Sequence, residues 1–297
     1  MIKIRNCLVS LLPRDLPQFI YTKILSPRPL RAATNAILRR MIPERIVLPT
    51  GETLLLNQDD PVVSGALSLG AYENAMTRTF LERLGPGMTF VDIGANLGYY
   101  TVLACGTVGR IVAFEPSVDN VAILRKNVDA NGATNVTVVP SGIGDTVETR
   151  RLSLDADNKG KHSLVEGAGR SEEISVTTLD RARAERGIER VDLIKMDIEG
   201  WEAHAFAGMR ETLRRDRPTI FFEYAPARIK IAGGDPFAMI RSLGRLGYDL
   251  FAIDERTSKL VPVADGDTRL RRLTKIDDYV NVLAKADGKR AKISNLS

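Results

Sequence analysis

The sequence predicts an α/β fold whose core is a mostly parallel β-sheet. From Thr89–Ile93 onward, short apolar strands alternate with amphipathic helical segments, and strands separated by helices pair in parallel. A glycine-containing turn follows this first strand, at the sheet edge where open α/β folds bind ligands. The last two predicted strands, 248–253 and 278–284, have no helix between them, so we expect them to pair antiparallel at one edge.

The other elements are assigned from hydrophobic periodicity and from glycine and proline breaks. Two apolar runs on either side of Pro49-Thr50-Gly51-Glu52 predict a small hairpin. Further strands are expected over residues 110–114, 136–139, 148–154, 173–178, 192–196 and 219–223. Helices are expected over residues 72–84, 97–107, 118–131, 201–214 and 236–246.

The composition is that of an ordinary globular chain with one large domain and an extension. The 297 residues are 44% hydrophobic and 27% charged, which provides a core that needs neither a disulfide nor a metal. Cys7 and Cys105 form no disulfide framework, and no Cys/His cluster has zinc spacing. No apolar run reaches the ~20 residues of a membrane span or resembles a signal peptide. We therefore expect no metal site and a reducing, cytoplasmic location.

The first 45 residues predict a basic helical arm, followed by one large domain over residues 46–297. Residues 1–50 hold nine Lys/Arg side chains against two acidic ones, and their prolines permit only short helices and turns. Such an arm suits an acidic partner, a membrane surface or nucleic acid. The interpretation favoured here is a solvated helical lid over the core, with peripheral membrane contact as an alternative. These patterns do not encode an oligomeric state.

The turn after the first core strand favours a cationic ligand. The run Val91-Asp92-Ile93-Gly94-Ala95-Asn96-Leu97-Gly98 places an acid two residues before its first glycine, and the glycines permit tight turning and close backbone approach. A dinucleotide site would show G-x-G-x-x-G with a helix N-terminus free for pyrophosphate, which Asp92 would repel. S-adenosylmethionine fits better, because it carries an ammonium and a sulfonium. The alternative is a turn that only packs a helix on a strand.

Glu115 supports the same cofactor. It ends the second core strand, 17 residues after Gly98, where an acid can accept hydrogen bonds from ribose hydroxyls. Pro116 then prevents the strand from continuing. The alternative is a glutamate at a strand end that faces solvent.

Six blocks occur in order along residues 46–285. They are Gly70-Ala71-Tyr72-Glu73, the run from Val91 to Thr101, Ala113-Phe114-Glu115-Pro116, Leu124-Arg125-Lys126-Asn127, Thr177-Thr178-Leu179-Asp180 and Leu193-Ile194-Lys195-Met196-Asp197-Ile198-Glu199-Gly200. In this order they resemble the FkbM-type methyltransferases, a branch of the class I S-adenosylmethionine-dependent enzymes. Glycine turns alone are weak signals, whereas the set ending in Lys-Met-Asp-Ile-Glu-Gly is specific. The first 45 residues lie outside the resemblance.

The resemblance implies a Rossmann-like, doubly wound sheet of seven strands, with the cofactor across the carboxyl ends of the first strands. It assigns the cofactor site to residues at these strand ends and in the blocks beside them. They are Glu73, Asp92, Gly94, Ala95, Asn96, Gly98, Glu115, Pro116, Ser141 and Asp197. Glu115 is implied to bind ribose, Ser141 to lie near adenine, and Asp197 to face the methionine and the methyl group.

Three side chains are candidates for acid–base or acceptor-orienting roles. Methyl transfer from a sulfonium is an in-line displacement in which the protein mainly orients and desolvates the reactants, and a hydroxyl acceptor reacts faster with a general base. Asp197 and Glu199 lie where a strand enters a helix, although Glu199 would also suit a helix dipole or a backbone amide. His162 lies in a polar loop. It is a candidate base or acceptor-binding group, and the alternative is an exposed loop residue.

Two further residues border the expected site. Glu223 ends the fifth strand of the core and would reach the same sheet edge. Trp201 follows Glu199-Gly200, where the family commonly has a small residue. Its indole is expected either to pack in the core or to line the acceptor pocket.

The predicted function is O-methylation of a hydroxyl on a sugar, glycan or other natural product, with S-adenosylmethionine as cofactor and a small-molecule or glycan acceptor.

The first alternative, an RNA methyltransferase, is suggested by the basic arm and a pI near 9.2. Against it, the motif is Asp-Ile-Glu-Gly rather than the Asp/Asn-Pro-Pro-aromatic run used on nucleobase amines. The second alternative is a non-catalytic protein of this fold that binds a partner through residues 1–50, but Asp92, Glu115 and Asp197 are intact.

Overall fold

A computed structural model describes residues 39–154, 162, 164, 170–264, 267–276 and 278–286. Most of the basic arm lies outside these residues, and its predicted helices and lid position stay predictions. Residues 39–41 are helical. None of the described helices combines the length and the apolar character that crossing a membrane requires.

Eight strands form the main sheet. In spatial order they are β12 (Leu260–Val263), β11 (Tyr248–Ile253), β13 (Val280–Ala286), β10 (Thr219–Tyr224), β9 (Leu193–Met196), β3 (Thr89–Ile93), β4 (Arg110–Phe114) and β5 (Val136–Val139). The pairs from β10 to β5 are all parallel. The expected α/β fold with a mostly parallel sheet is therefore confirmed.

The antiparallel part of the sheet differs in detail from the expectation. β11 and β13 pair antiparallel, as predicted, but β13 lies between β10 and β11 rather than at the edge. The edge belongs to β12, an eighth strand beyond the seven expected. Its Leu-Val-Pro-Val sequence gave no clear strand signal because proline is accepted only at sheet edges.

Helices cover both faces of the sheet, which makes the fold doubly wound. On one face lie α1 (Val63–Ser68), α2 (Asn74–Leu81), α3 (Tyr99–Cys105) and α4 (Val118–Ala130). On the other face lie α5 (Leu179–Glu185), α6 (Glu202–Ala207), α7 (Arg210–Arg215), α8 (Pro226–Ile231) and α9 (Pro236–Arg245). Alternate residues of one strand enter the two cores: Phe90 packs toward α2 and α3, and Val91 packs toward the opposite layer.

Two small sheets and a short helix complete the described fold. The predicted hairpin is present as β1 (Arg45–Val47) and β2 (Thr53–Leu55). A second sheet joins β6 (Gly142–Ile143), β8 (Ser171–Thr177) and β7 (Glu148–Ser153), and α10 spans Thr268–Arg271.

The predicted helix over 201–214 is two helices, α6 and α7, separated at Gly208. A Cβ on Gly208 would lie 1.9 Å from the carbonyl oxygen of Gly144. Only glycine allows this contact, and the chain changes direction there. The predicted start of α9 is confirmed, because the Asp235 carboxylate accepts hydrogen bonds from the backbone N–H groups of Phe237 and Ala238 at 2.9 Å.

A buried asparagine joins the N-terminal hairpin to the main fold. Asn127 of α4 is fully buried. Its Nδ2 donates to the carbonyl oxygens of Leu55 at 3.1 Å and Leu97 at 2.7 Å, and its Oδ1 accepts from the Leu55 N–H at 2.6 Å. The side chain therefore completes the backbone hydrogen bonding of β2 and of the glycine turn.

Replacing Asn127 should destabilise the fold strongly. Asn127→Ala leaves one buried donor and two buried acceptors without partners, which we expect to lower the free energy of unfolding by about 3 kcal/mol. Urea unfolding measures this change. Lys126→Ala, at an exposed neighbouring position, is the matched control and should change the stability by less than ~0.5 kcal/mol. Equal stabilities of the two variants would show that Asn127 does not anchor the hairpin.

Candidate functional site

A cavity of about 270 Å³ opens at the carboxyl ends of β4, β3, β9 and β10. Glu115 lies at the end of β4 and Glu223 near the end of β10. Because three strand spacings separate β4 from β10, these carboxylates lie roughly 14 Å apart along the sheet edge. The cavity is thus an elongated trough with an acid at each end.

The two ends of the trough have different linings. We call the Glu115 half the part formed by Gly94, Ala95, Asn96, Glu115, Pro116, Gly142 and Ile143. We call the Glu223 half the part formed by Tyr72, Glu73, Lys195, Asp197, Glu199, Glu223, Arg228, Glu255, Tyr279 and Asn281. Nine of the twelve site residues predicted from the sequence line the trough, and His162 is one of them. Asp92, Gly98 and Ser141 do not appear among the lining residues.

The glycines of the turn serve contacts within the protein. Gly94 and Gly98 have φ angles of 75° and 94°, a region that favours glycine. A Cβ on Gly94 would lie 2.0 Å from the carbonyl oxygen of Asp197, and one on Gly98 would lie 2.5 Å from Leu124 Cδ1. Gly94 therefore lets the end of β9 approach the turn, which brings Asp197 into the trough.

Glu115 ties the turn to the end of β4. Its Oε2 accepts a hydrogen bond from the Asn96 N–H at 2.8 Å, and its Oε1 accepts from the Ser117 N–H at 2.9 Å. Asn120 donates to the same Oε1 at 3.4 Å. Burial raises the pKa of Glu115 to about 7 despite these donors. The carboxylate is fixed at a strand end, as a ribose-binding acid would need to be.

Asp92 and Ser141 are held behind the trough wall. Asp92 is buried and accepts a hydrogen bond from Thr101 Oγ1 at 2.7 Å, and burial raises the pKa of its carboxyl group. Ser141 Oγ donates toward the carbonyl oxygens of Gly142 and Ser175, each at 3.0 Å. Direct contact of these two residues with a cofactor, which the resemblance implies, remains a prediction. In this structure Asp92 contacts Thr101 of α3, and Ser141 contacts backbone carbonyl oxygens of the small sheet.

Lys195 is the central cation of the site, and the sequence analysis did not assign it a role. It is 4% exposed, lies opposite Asp92 in the register of β3 and β9, and places Nζ 3.4 Å from Asp197 Oδ2. Burial lowers the pKa of Lys195, but the negative charges of Asp197, Asp92 and Glu73 outweigh it and raise that pKa. Its Nζ also lies 5.0 Å from the Tyr100 ring centroid. The sequence signal that could have identified Lys195 is a lysine within an otherwise apolar strand.

Glu73 reaches the trough from the segment before α2. Its backbone has a left-handed φ of 39°, and its carboxylate accepts a hydrogen bond from the Tyr100 hydroxyl at 2.7 Å. Burial raises the pKa of Glu73 to about 7. The placement agrees with the family position that suggested this residue.

The loop after β9 has a fixed, uncommon conformation. Glu199 and Gly200 have φ angles of 56° and 103°. The buried Glu202 carboxylate folds back and accepts from the N–H groups of Ile198 and Gly200 at 3.3 Å each. Burial raises the pKa of Glu202 to about 7. Glu202, to which the sequence analysis gave no role, therefore shapes the loop that carries Asp197 and Glu199.

Arg228 of α8 organises the Glu223 half. Its guanidinium forms an ion pair with Glu199, and a second ion pair with Glu223 in which the N–O separation is 2.5 Å. Sequence patterns could not identify this residue, because arginines are common on helices and only the fold brings α8 over the strand ends. Glu199 pairs with an arginine, an interaction that none of the roles predicted for it from the sequence included. Those roles stay predictions.

Trp201 both packs in the core and lines the trough. The His204 ring stacks on the indole with centroids 3.9 Å apart, and Arg150 Cζ lies 4.5 Å from the indole centroid. The imidazole and the guanidinium thus cover part of the indole surface and leave less of it for a ligand. His204 in turn places Nδ1 3.2 Å from Asp145 Oδ2, which links α6 to the small sheet.

Removing the Lys195 charge should destabilise the protein in a pH-dependent way. Lys195→Met leaves the buried carboxylates without their cation, which we expect to cost about 3–5 kcal/mol of unfolding free energy near neutral pH. The folded-state pKa values of Asp92 and Glu73, already raised by burial, should rise further. A carboxyl group whose folded pKa is raised destabilises the fold above its unfolded pKa, so the defect should shrink as the pH falls from about 8 to about 5.

Denaturant unfolding at several pH values measures the Lys195→Met defect. Lys259→Met, at an exposed lysine, is the control and should match the parent protein throughout. A defect of the same size at every pH would mean that Lys195 contributes by packing rather than by charge.

A family comparison covers the part of the chain that holds the site. Residues 92–250 match the methyltransferase FkbM domain family, a span of more than half the chain. The span includes the glycine turn, Glu115, Asp197, Glu199 and Glu223. The resemblance drawn from the ordered sequence blocks is confirmed by this match.

Individual proteins are similar over shorter or more diverged spans. The probable cobalt-precorrin-6B C(15)-methyltransferase (decarboxylating) of Halobacterium salinarum is 30% identical over 125 residues, which are 39% of this chain and 57% of that protein. AMB antimetabolite synthetase AmbE of Pseudomonas aeruginosa is 23% identical over 210 residues, 56% of this chain and 10% of that protein. The chain thus spans well under two thirds of either relative.

A solved methyltransferase FkbM from Methylobacillus flagellatus aligns with 18% identity over 75% of this chain and 52% of its own, with a TM-score of 0.42. The assignment therefore rests on the domain match and not on this alignment. Since that match extends over more than half of the residues and takes in the trough, the chain belongs to the methyltransferase FkbM domain family.

Proposed function

We propose that the protein transfers the methyl group of S-adenosylmethionine to a hydroxyl of a sugar, glycan or other natural product. The observation that carries the proposal is the acidic trough at the carboxyl ends of parallel strands, with Glu115 at one end and Asp197 over its centre. Open α/β sheets bind ligands at this edge. A ligand with two positive groups suits a trough whose charged lining residues are mainly carboxylates.

The Glu115 half fits the nucleoside portion of the cofactor. Glu115 would accept the ribose hydroxyls, and Ile143 with Pro116 offers apolar surface to a base. Within the described part of the chain, Asn96 Oδ1 and Asp197 Oδ1 are buried without a hydrogen-bond partner. Buried acceptors of this kind favour a ligand with donor groups, such as an ammonium and ribose hydroxyls. S-adenosylmethionine supplies the electrophilic methyl group when it is bound.

Asp197 is the best-placed general base for a hydroxyl acceptor. For a hydroxyl acceptor, the bound cofactor would supply the methyl carbon, and its sulfur would leave with the electron pair of the broken carbon–sulfur bond. A carboxylate would take the hydroxyl proton as the new oxygen–carbon bond forms. Glu199 forms an ion pair with Arg228. Asp197 forms an ion pair with Lys195 through Oδ2, and its Oδ1 has no hydrogen-bond partner among the described residues. His162 lines the trough and stays a candidate for binding the acceptor.

An RNA acceptor fits this site less well. The Glu223 half has the carboxylates of Glu73, Asp197, Glu199 and Glu223 against the cations of Lys195 and Arg228, and a phosphodiester would approach them at an energetic cost. A role of the basic arm in holding an acidic partner stays a separate prediction.

Binding of S-adenosylmethionine is the first test of the proposed function. We expect calorimetry to show binding of this cofactor and none of NAD. Glu115→Gln should weaken binding by about tenfold or more, because a carboxamide cannot accept from the turn and from ribose as the carboxylate does. Glu82→Gln, at an exposed position, is the control. No detectable binding by the parent protein would refute the proposal.

The acceptor class requires a catalytic assay. A labelled-methyl screen across sugars, glycans and other hydroxyl compounds should yield a product whose label is stable as a methyl ether. Asp197→Asn should keep measurable but weaker cofactor binding and, at saturating cofactor, lose most of the transfer rate, by a factor of about 10²–10⁴. Label recovered on a nitrogen or carbon atom would overturn the O-methylation part of the proposal.

Cofactor affinity should increase with pH near neutrality. Glu73 and Glu115 have pKa values of about 7 in the free protein, and a cationic ligand with donor groups favours their ionised forms. Their pKa values should therefore fall on binding, so that protons are released and affinity rises between about pH 6 and pH 7.5. Calorimetry in two buffers of different ionisation enthalpy measures the release. Glu73→Gln should release fewer protons, and an affinity that falls with pH would contradict the assignment.

A further inference from the structure

We propose that the acceptor carries an ammonium group near its reacting hydroxyl, as in an amino sugar or another amino alcohol. This inference rests on the proposed function, since it names the substrate class of the same site. It comes from the charge and the aromatic lining of the Glu223 half. A neutral polyol is expected to bind more weakly there, and an acceptor with a phosphate or carboxylate near the hydroxyl more weakly still.

Carboxylates outnumber cations in the Glu223 half. Five acidic side chains line it, and Lys195 and Arg228 are the cations among its described lining residues. The acidic residues are Glu73, Asp197, Glu199, Glu223 and Glu255. Because opposite charges attract most strongly where water is excluded, this lining favours a cation.

Both cations are already engaged by carboxylates. Lys195 pairs with Asp197 at 3.4 Å and lies opposite Asp92 in the strand register. Arg228 pairs with Glu199 and Glu223 together. Neither is therefore presented to a ligand phosphate or carboxylate, which would have to break a buried ion pair to be recognised.

The cofactor does not neutralise the surplus. S-adenosylmethionine carries an ammonium, a sulfonium and a carboxylate, so it brings one net positive charge. Glu255 is partly satisfied by the protein, because it accepts from the N–H groups of Ala75 and Met76 at 3.0 and 3.3 Å. Burial and neighbouring carboxylates raise the pKa of Glu223 well above its usual range, and burial raises that of Glu73 to about 7. A bound ammonium would favour the ionised forms of both carboxyl groups.

Tyrosine rings complete a surface suited to an ammonium. Tyr72 and Tyr99 line the trough with their ring centroids 5.4 Å apart, edge to face. Tyr279 lines the Glu223 half as well and is 49% exposed. The negative face of an aromatic ring attracts a cation within about 6 Å, as the Tyr279 ring does with the Arg228 guanidinium at 5.7 Å. The rings of this lining therefore suit a cationic ligand, as its carboxylates do.

The test compares three sugars that differ at one substituent. The full chain is saturated with S-adenosylhomocysteine, which lacks the sulfonium charge, and glucosamine, glucose and glucose 6-phosphate are titrated at about pH 7 with ligand-observed NMR. We expect glucosamine to bind about tenfold more tightly than glucose, and glucose 6-phosphate to bind most weakly. Glucosamine binding that is undetectable, or no tighter than that of glucose or its phosphate, would overturn the inference.

Two variants test whether Glu223 is responsible for the preference for glucosamine. Glu223→Gln keeps the size of the side chain and removes the carboxyl group that a bound ammonium would ionise, so the preference for glucosamine over glucose should fall several-fold. Glu173→Gln, on the exposed face of β8, should leave the preference intact. Thermal unfolding of each variant in complex with S-adenosylhomocysteine verifies that the fold persists. An unchanged preference in Glu223→Gln would also overturn the inference.

The two proposals fail in different ways. If S-adenosylhomocysteine does not bind the parent protein, the proposed function fails before any sugar is added. If it binds and the sugars show no preference for the amine, the proposed function stands and only the acceptor class is refuted.

Discussion

The site depends on one buried cation, Lys195, placed between carboxylates of neighbouring strands. It lies opposite Asp92 of β3 and forms an ion pair with Asp197 just beyond β9. Without a positive charge at this position, the acids at the strand ends would repel one another in a region that excludes water. The same cation lets the trough hold several carboxylates that can bind a positively charged ligand. Lys195 therefore contributes both to the stability of this edge of the sheet and to its binding chemistry.

Close packing gives this electrostatic arrangement its geometry. Gly94 allows the backbone of Asp197 to approach the turn where any side chain would collide, and Glu202 fixes the loop that follows. Glu115 fastens the other side of the turn through the Asn96 N–H. The trough is therefore formed by backbone contacts that need particular residues, while its walls include helices from both faces of the sheet, such as α3 and α8.

The regular part of the fold was predictable because its signals are local. Thr89–Ile93 and Arg110–Phe114 were predicted with their observed bounds, since apolar runs between turns mark buried strands. The glycine turn, Glu115, Asp197 and Glu199 were found from motif and spacing. Arg228 and Glu202 were not, because their roles depend on how α8 and the loop after β9 approach the strand ends. The place of β13 between β10 and β11 likewise depends on long-range pairing that periodicity does not report.

The indole of Trp201 has an optical consequence. It is the only tryptophan in the sequence, so the whole tryptophan emission of the chain comes from one wall of the trough. The ring is buried, with the His204 imidazole stacked on it and the Arg150 guanidinium carbon 4.5 Å from its centroid. Its emission spectrum and lifetime thus report the local environment at a single point between the small sheet and α6. The unlabelled protein already contains a spectroscopic probe of its own ligand site.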